Sequence, residues 1–177
     1  MELLPDIVGP EPVIVFCGLA GAESTKTRDH YYASPGNSFW ESLHLSGLSP
    51  RRLRPDEDHE VVELGLGLTD LVGHWDHESN RGWVEIDDLV AKVERWRPAY
   101  LAFTAKGTAG WAAKALGHRK PGLGLAPWDV SGAEVFVLPG TSGANQRKDY
   151  DGRPNRLAWW CDLAALAAPD LTATRRF

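Results

Sequence analysis

Cysteine, positive charge and long apolar runs are all scarce in this sequence, and each scarcity excludes something. Only Cys17 and Cys161 occur, with no Cys-x-x-Cys pair and no cysteine–histidine spacing. That removes a disulfide framework and the usual structural zinc sites. Cys17 ends an apolar run and Cys161 falls in an apolar helical pattern, so both are expected to be buried, reduced thiols. The 19 Lys and Arg residues are outnumbered by 24 Asp and Glu, for a net charge of -5. That balance argues against broad, nonspecific adhesion to polyanions. Local basic patches stay open at Arg51-Arg52-Leu53-Arg54 and at Gln146-Arg147-Lys148, each equally readable as a solvated loop. No apolar run is long enough to cross a bilayer, and the opening MELLPDIVGPEP lacks the charged start and apolar centre of a secretion signal. A cytoplasmic location is the expectation. Neither G-x-G-x-x-G nor G-x-x-x-x-G-K-[ST] occurs, which leaves an unrelated nucleotide-binding α/β protein as a weak alternative.

What is present is ample apolar material, 43% of 177 residues, enough for one domain over residues 1–177 with a core that needs no metal or cross-link. No internal repeat and no low-complexity linker interrupts it. Continuous, β-branched apolar runs predict buried strands at residues 13–17, 100–104 and 135–138, with a shorter strand or extended turn at 66–72. Helical spacing appears at 38–45, with Asn37 as its N-cap, and at 55–64, opened by Pro and acidic residues. It recurs at 85–96, 107–116 and 155–168. Strands that are apolar on both faces and alternate with helices predict a three-layer α/β/α fold around a central, mainly parallel sheet. Ligands in such sheets bind beyond the carboxyl ends of the strands. The loops at 18–36, 104–108 and 139–150 leave those ends and should converge on one crevice.

Three motifs fall at these strand ends: FCGLAGAEST…ASPGNSFW from Phe16, GLGLTDLV over 65–72, and VLPGTSGANQR over 137–147. In this order and spacing, over roughly residues 12–168, the chain resembles the mismatch-specific uracil/thymine DNA glycosylases of the uracil-DNA glycosylase superfamily. The resemblance implies a monofunctional enzyme that flips a base out of DNA and hydrolyses its N-glycosidic bond, as a monomer, with no cofactor or metal. It places Tyr32 where a ring stacks on the flipped base, and the backbone of Leu19 and Tyr32 at that base's edge. Asn37 and Ser38 open a helix whose N–H groups could hold a phosphate. Residues Ser142, Gly143, Ala144, Asn145, Gln146 and Arg147 form the loop that wedges into DNA, and Lys106 stands where it could meet a phosphate. Without the motif, Tyr32 reads as a half-buried core tyrosine and Lys106 as a surface lysine at a helix start.

The sequence departs from the family at one telling point. Where the family's turn offers a water-positioning asparagine, this chain has Ala20, followed by Gly21 and Ala22. Ala144 likewise replaces a bulky apolar wedge residue. Asp70 is the first candidate to supply the missing chemistry, because a carboxylate beside the pocket can take a proton from water and balance oxocarbenium charge. The plainer reading of Asp70 is a turn cap or an arginine partner. Glu23, Asp29 and His30 on the pocket loop are second choices. A non-catalytic DNA-damage binding protein is the alternative to an enzyme. The cluster His74-Trp75-Asp76-His77-Glu78 invites a metal, but its ligands crowd one stretch without distant partners, and a solvated loop is the expectation.

Overall fold

The computed structural model describes residues 3–21, 29–144 and 150–174. Six strands form one sheet in the order β3-β2-β1-β4-β6-β5. They are β1 (Ile14–Gly21), β2 (Leu66–Asp76), β3 (Arg81–Val84), β4 (Tyr100–Phe103), β5 (Gly124–Val130) and β6 (Ala133–Val137). The four inner strands run parallel, while β3 and β5 close the two edges antiparallel. The expected three-layer α/β/α fold with a mainly parallel sheet is the fold observed.

Alternation along the inner strands builds two cores. Ile14 and Phe16 of β1, Leu66 and Leu68 of β2, and Tyr100 and Ala102 of β4 face one side. There they meet α1 (Phe39–Leu45) and α4 (Arg156–Thr174) through Phe39, Leu43, Trp160 and Leu163. Val15 and Cys17, Leu101 and Phe103, and Val135 and Val137 face the other side, against α2 (Ile86–Trp96) and α3 (Lys106–Leu116). Period-two alternation with both faces apolar is what makes these strands read as unbroken apolar runs.

The structure corrects several expectations. Residues 55–64 form a 3-10 helix, interrupted at Glu57, where φ is -105°. Helix α1 begins one residue later than expected; its N-cap position is Ser38, which makes no side-chain cap bond, while Asn37 Oδ1 accepts the Phe39 N–H at 3.0 Å. Strand β2 runs on to Asp76 and pairs with β3, so the 74–76 stretch is strand and not loop. Helix α4 passes through Pro169 to Thr174, since Leu171 is buried against the first core. Cys17 is buried as expected, but Cys161 is exposed: α4 is an outer layer, and only one side of it meets the sheet. Among the described residues, no helix is long and apolar enough to cross a membrane.

Candidate active site

A cavity of about 400 Å3 opens beside Gly18, Leu19 and Asp70 within β1 and β2, and just beyond the ends of β4 and β6. Its walls come from all three loops named by the strand-end rule: Gly18 and Leu19 with Tyr32 to Ser34, Thr104 to Ala105, and Gly140 to Ser142. Strand β2 adds Asp70, which lies beside Gly18 in the parallel register. The space a side chain would fill at Gly18 is occupied by three polar atoms. A methyl group there would sit 2.8 Å from Asp70 Oδ1, 3.3 Å from the Tyr32 hydroxyl and 3.7 Å from Thr104 Oγ1. Glycine at this point lets a carboxylate, a phenol and an alcohol from three different segments share one spot.

Each of the three is fixed by its surroundings. The Tyr32 hydroxyl and Thr104 Oγ1 are hydrogen-bonded at 3.0 Å, and Thr104 also donates to the Cys17 carbonyl at 3.4 Å. The Tyr32 ring stacks on Phe39 at 3.9 Å between centroids and 9° between planes. Its backbone is left-handed, with φ 53°, a conformation that costs a non-glycine residue about 1 kcal/mol or more and persists only when its surroundings over-determine it. They do so here through Tyr31. The buried Asp58 carboxylate accepts the Tyr31 N–H at 3.2 Å and lies 3.3 Å from His30 Nδ1. The Tyr31 hydroxyl donates to the Pro5 carbonyl and the Trp40 indole donates to the Tyr31 carbonyl. Below the cavity, burial pushes the Cys17 thiol well up from its ordinary value, and the negative charge of Asp70 adds to the effect.

The third loop docks on the start of α1. The Ser38 N–H donates to the Thr141 carbonyl at 2.8 Å, and the Ser38 hydroxyl donates to the same oxygen at 3.3 Å. Arg156 donates to the Gly140 carbonyl and to Ser38 Oγ. Gly143 passes so close to Gly36 that an added methyl group would lie 3.0 Å from the Gly36 carbonyl oxygen.

Of the candidate residues, the structure brings Leu19, Tyr32, Asn37, Asp70 and Ser142 to the cavity wall. Ala20 is buried on β1 beside Val72 and is not part of that wall. Ser38 lies behind it, with its N–H already used by Thr141. Lys106 starts α3 between the wall residues Ala105 and Gly107, and its ammonium is paired with Asp151 at 2.7 Å. Gly143 and Ala144 are exposed. Asn145, Gln146 and Arg147, like Glu23, lie outside the described residues. Asp29 is exposed, and His30 turns to Asp58. The run 51–54 carries little spare positive charge: Arg51 grips Glu57 and Glu60, and Arg54 grips Asp56. No group of three or more metal-capable side chains gathers among the described residues.

Gly18, Thr104, Asp58 and Arg156 went unnoticed in the sequence. The strand-end rule could have found Thr104, which follows β4 directly. Nothing local marks Asp58, whose role appears only once residues 30 and 31 lie against it.

A cavity at the carboxyl end of a parallel sheet, with a carboxylate and two hydroxyls converging on one wall, is the usual place for a ligand site in an α/β protein of this kind. The chain matches the model of the uracil DNA glycosylase superfamily over residues 5–164 and belongs to that superfamily. By family it is a DNA glycosylase, a hydrolase of DNA repair that acts on DNA.

Proposed function

We propose that the protein removes uracil from DNA, including from mismatches, by flipping the nucleotide into this cavity and hydrolysing its N-glycosidic bond. The observation that carries the reading is the meeting of Asp70 Oδ1 with the Tyr32 and Thr104 hydroxyls over Gly18, in a chain whose turn has only Ala20 where polar chemistry is expected. Asp70 holds a water molecule near C1′ and offsets the positive charge that grows on the sugar. As the water oxygen bonds to C1′, the C1′–N1 bond breaks and its electron pair leaves on the uracil ring. The water's proton passes to the Asp70 carboxylate. Tyr32, backed by Phe39, presents its other ring face to the flipped base. No lysine lines the cavity among the described residues, which fits direct hydrolysis without a covalent amine intermediate or strand cleavage.

The test is single-turnover release of labelled uracil from U·G and U·A duplexes and from a single strand, with enzyme in excess. Excision leaving an intact abasic strand is expected, and Asp70→Asn should slow it about 10²–10⁴-fold with little change in DNA affinity. Uracil retained in the strand by a protein that still binds it tightly would favour the competing reading, a damage-binding protein without catalysis. An Asp70→Asn variant that cuts at the parental rate would remove Asp70 from the chemistry.

A further inference from the structure

A second cavity, of about 500 Å3, adjoins the first and shares Leu19 and Trp111 with it. The β2–β3 hairpin supplies the rest of its wall, chiefly His74, Trp75, His77 and Trp83. It is unusual for a small protein to leave such rings in water: Trp75 is 40% and Trp83 53% exposed. The rings are nevertheless held firmly. His74 and Trp83 are cross-strand partners in the hairpin and stack at 5.1 Å and 9°. Glu85 fixes the far side of His74, 2.7 Å from its Nε2. Trp75 and Trp111 both press onto Gly82, where any side chain would collide with them at 2.7 and 2.6 Å. Core packing does not explain this arrangement, because two of the rings face solvent on an edge hairpin. Nor does a metal, since no such cluster forms among the described residues.

The chemistry of the wall selects its occupant. Among the described residues, no Lys, Arg, Asp or Glu lines it, so the described wall offers no full charge to a phosphate or to an ammonium group. It offers flat apolar faces with imidazole edges, which suit a neutral, planar ring. The indole N–H groups of Trp75, Trp83 and Trp111 make no hydrogen bond among the described residues, leaving donors for ring carbonyls. Position narrows the choice further. His74 lies four residues beyond Asp70 on β2, about 13 Å along the strand. DNA advances 3.4 Å per stacked nucleotide. A strand that runs along β2 from a target nucleotide at Asp70 would reach the aromatic cavity within about four nucleotides.

We infer that this aromatic cavity is a second base-stacking subsite, which takes an unpaired base of the same DNA strand near the target nucleotide. The inference rests on DNA as the substrate of the neighbouring cavity. Trp83, already covered on one side by His74, provides the platform. The subsite favours single-stranded or locally opened DNA, where a neighbouring base can leave its stack without breaking a pair.

The experiment measures binding to single-stranded oligonucleotides that hold one uncleavable 2′-fluorinated deoxyuridine. An abasic tetrahydrofuran replaces the base in turn at each of four positions on either side. In the parent protein, one or two of these positions should weaken binding roughly 5- to 100-fold, the usual worth of one stacked base. Trp83→Ala should weaken binding to the intact strand similarly and erase the penalty at those positions, while Trp83→Phe should keep both. Trp83 is exposed on an edge strand, so the Ala variant leaves the two cores intact. The parent scan needs no variant at all. A flat scan in a parent that still excises uracil overturns the subsite and leaves the glycosylase reading standing. So does a penalty of equal size in the parent and in Trp83→Ala. A concentration-dependent dimer that Trp83→Ala abolishes would assign the face to a second copy of the chain and overturn the subsite as well. A parent that neither binds nor cuts uracil DNA overturns both readings, and the excision assay registers that result separately.

Discussion

Gly18→Ala separates the site from the fold with a single methyl group. The residue sits in β1, where its φ is not left-handed, so alanine fits the backbone without strain. Glycine in a strand interior costs about 0.5–1 kcal/mol relative to alanine, so the backbone gains by the change. The added methyl group, however, meets Asp70 Oδ1 at 2.8 Å, closer than such atoms pack. The carboxylate must retreat by roughly half an ångström or swing away, and the Tyr32 hydroxyl at 3.3 Å must also give a little. The first move shifts the end of a side chain and leaves the backbone in place. It is costly for chemistry, since a misplacement of about 1 Å can lower a rate about 10²-fold. The expected result is a thermal midpoint equal to or above the parent's, with single-turnover uracil release reduced about 10- to 100-fold. Binding to an abasic-site duplex should be nearly unchanged. A variant that excises at the parental rate would refute the convergence at Gly18 as the working geometry. A variant that loses rate only in step with a falling midpoint would mean that the glycine serves the fold.

Asp58→Ala leaves the Tyr31 N–H without its buried acceptor, which should cost about 1–3 kcal/mol in denaturant unfolding and lower excision by loosening the loop that carries Tyr32. Equal activity per folded molecule would show that this loop needs no such anchor. Tyr32→Phe should keep most activity and Tyr32→Ala should lose roughly 10- to 100-fold, read by single-turnover release; equal losses would shift the role from ring to hydroxyl. Asp151→Asn still accepts the Leu123 N–H but no longer neutralises Lys106, so the slope of log affinity against log salt should steepen by about 0.9. An unchanged slope would exclude Lys106 from phosphate contact. A thiol reagent should modify Cys161 in the native protein and reach Cys17 only after unfolding. The Cys17 thiol is raised in the fold, so its contribution is complete below the unfolded thiol pKa of about 8.5 and is lost as the pH rises beyond it. The thermal midpoint should therefore fall above that pH, and less so in Cys17→Ala.

The parts of the fold that could be read from the sequence are those buried on both sides. Strands β1, β4 and β6 are continuous apolar runs because each successive residue enters one core or the other. The edges were hidden for the opposite reason. Strand β3 is short, with Arg81 and Trp83 exposed, and has no run to recognise. Strand β5 contains Pro127 and a register shift between Leu125 and Asp129, features confined to edges because an edge strand can lose a donor on one side. Sequence punctuation also misled at Pro169, where burial of Leu171 carries α4 onward. In the other direction, a helix rich in apolar residues on every side suggested burial for Cys161, although an outer layer can bury only one face.

The site divides along a similar line. Asp70 and Tyr32 could be singled out because each stands in a motif expected at a strand end, where ligands meet parallel sheets, although β2 runs past Asp70 to Asp76 and places it inside the strand. Their dependence on Gly18 could not, because it comes from the register that sets β1 beside β2 and from the loop that returns Tyr32 over both. Charge was the poorest guide. Among the described residues, Lys106 and Arg156 are cations bonded at the rim, and both are engaged within the protein, Lys106 by Asp151 and Arg156 by Ser38 and the Gly140 carbonyl. What the described rim offers instead is ring surface: Tyr32 at one cavity, Trp75 and Trp83 at the next, joined through Leu19 and Trp111. Stacking needs bases that have left the duplex. Under the proposed function, ring faces of this kind would take bases most readily where pairing is already weak, as at damage and mismatches.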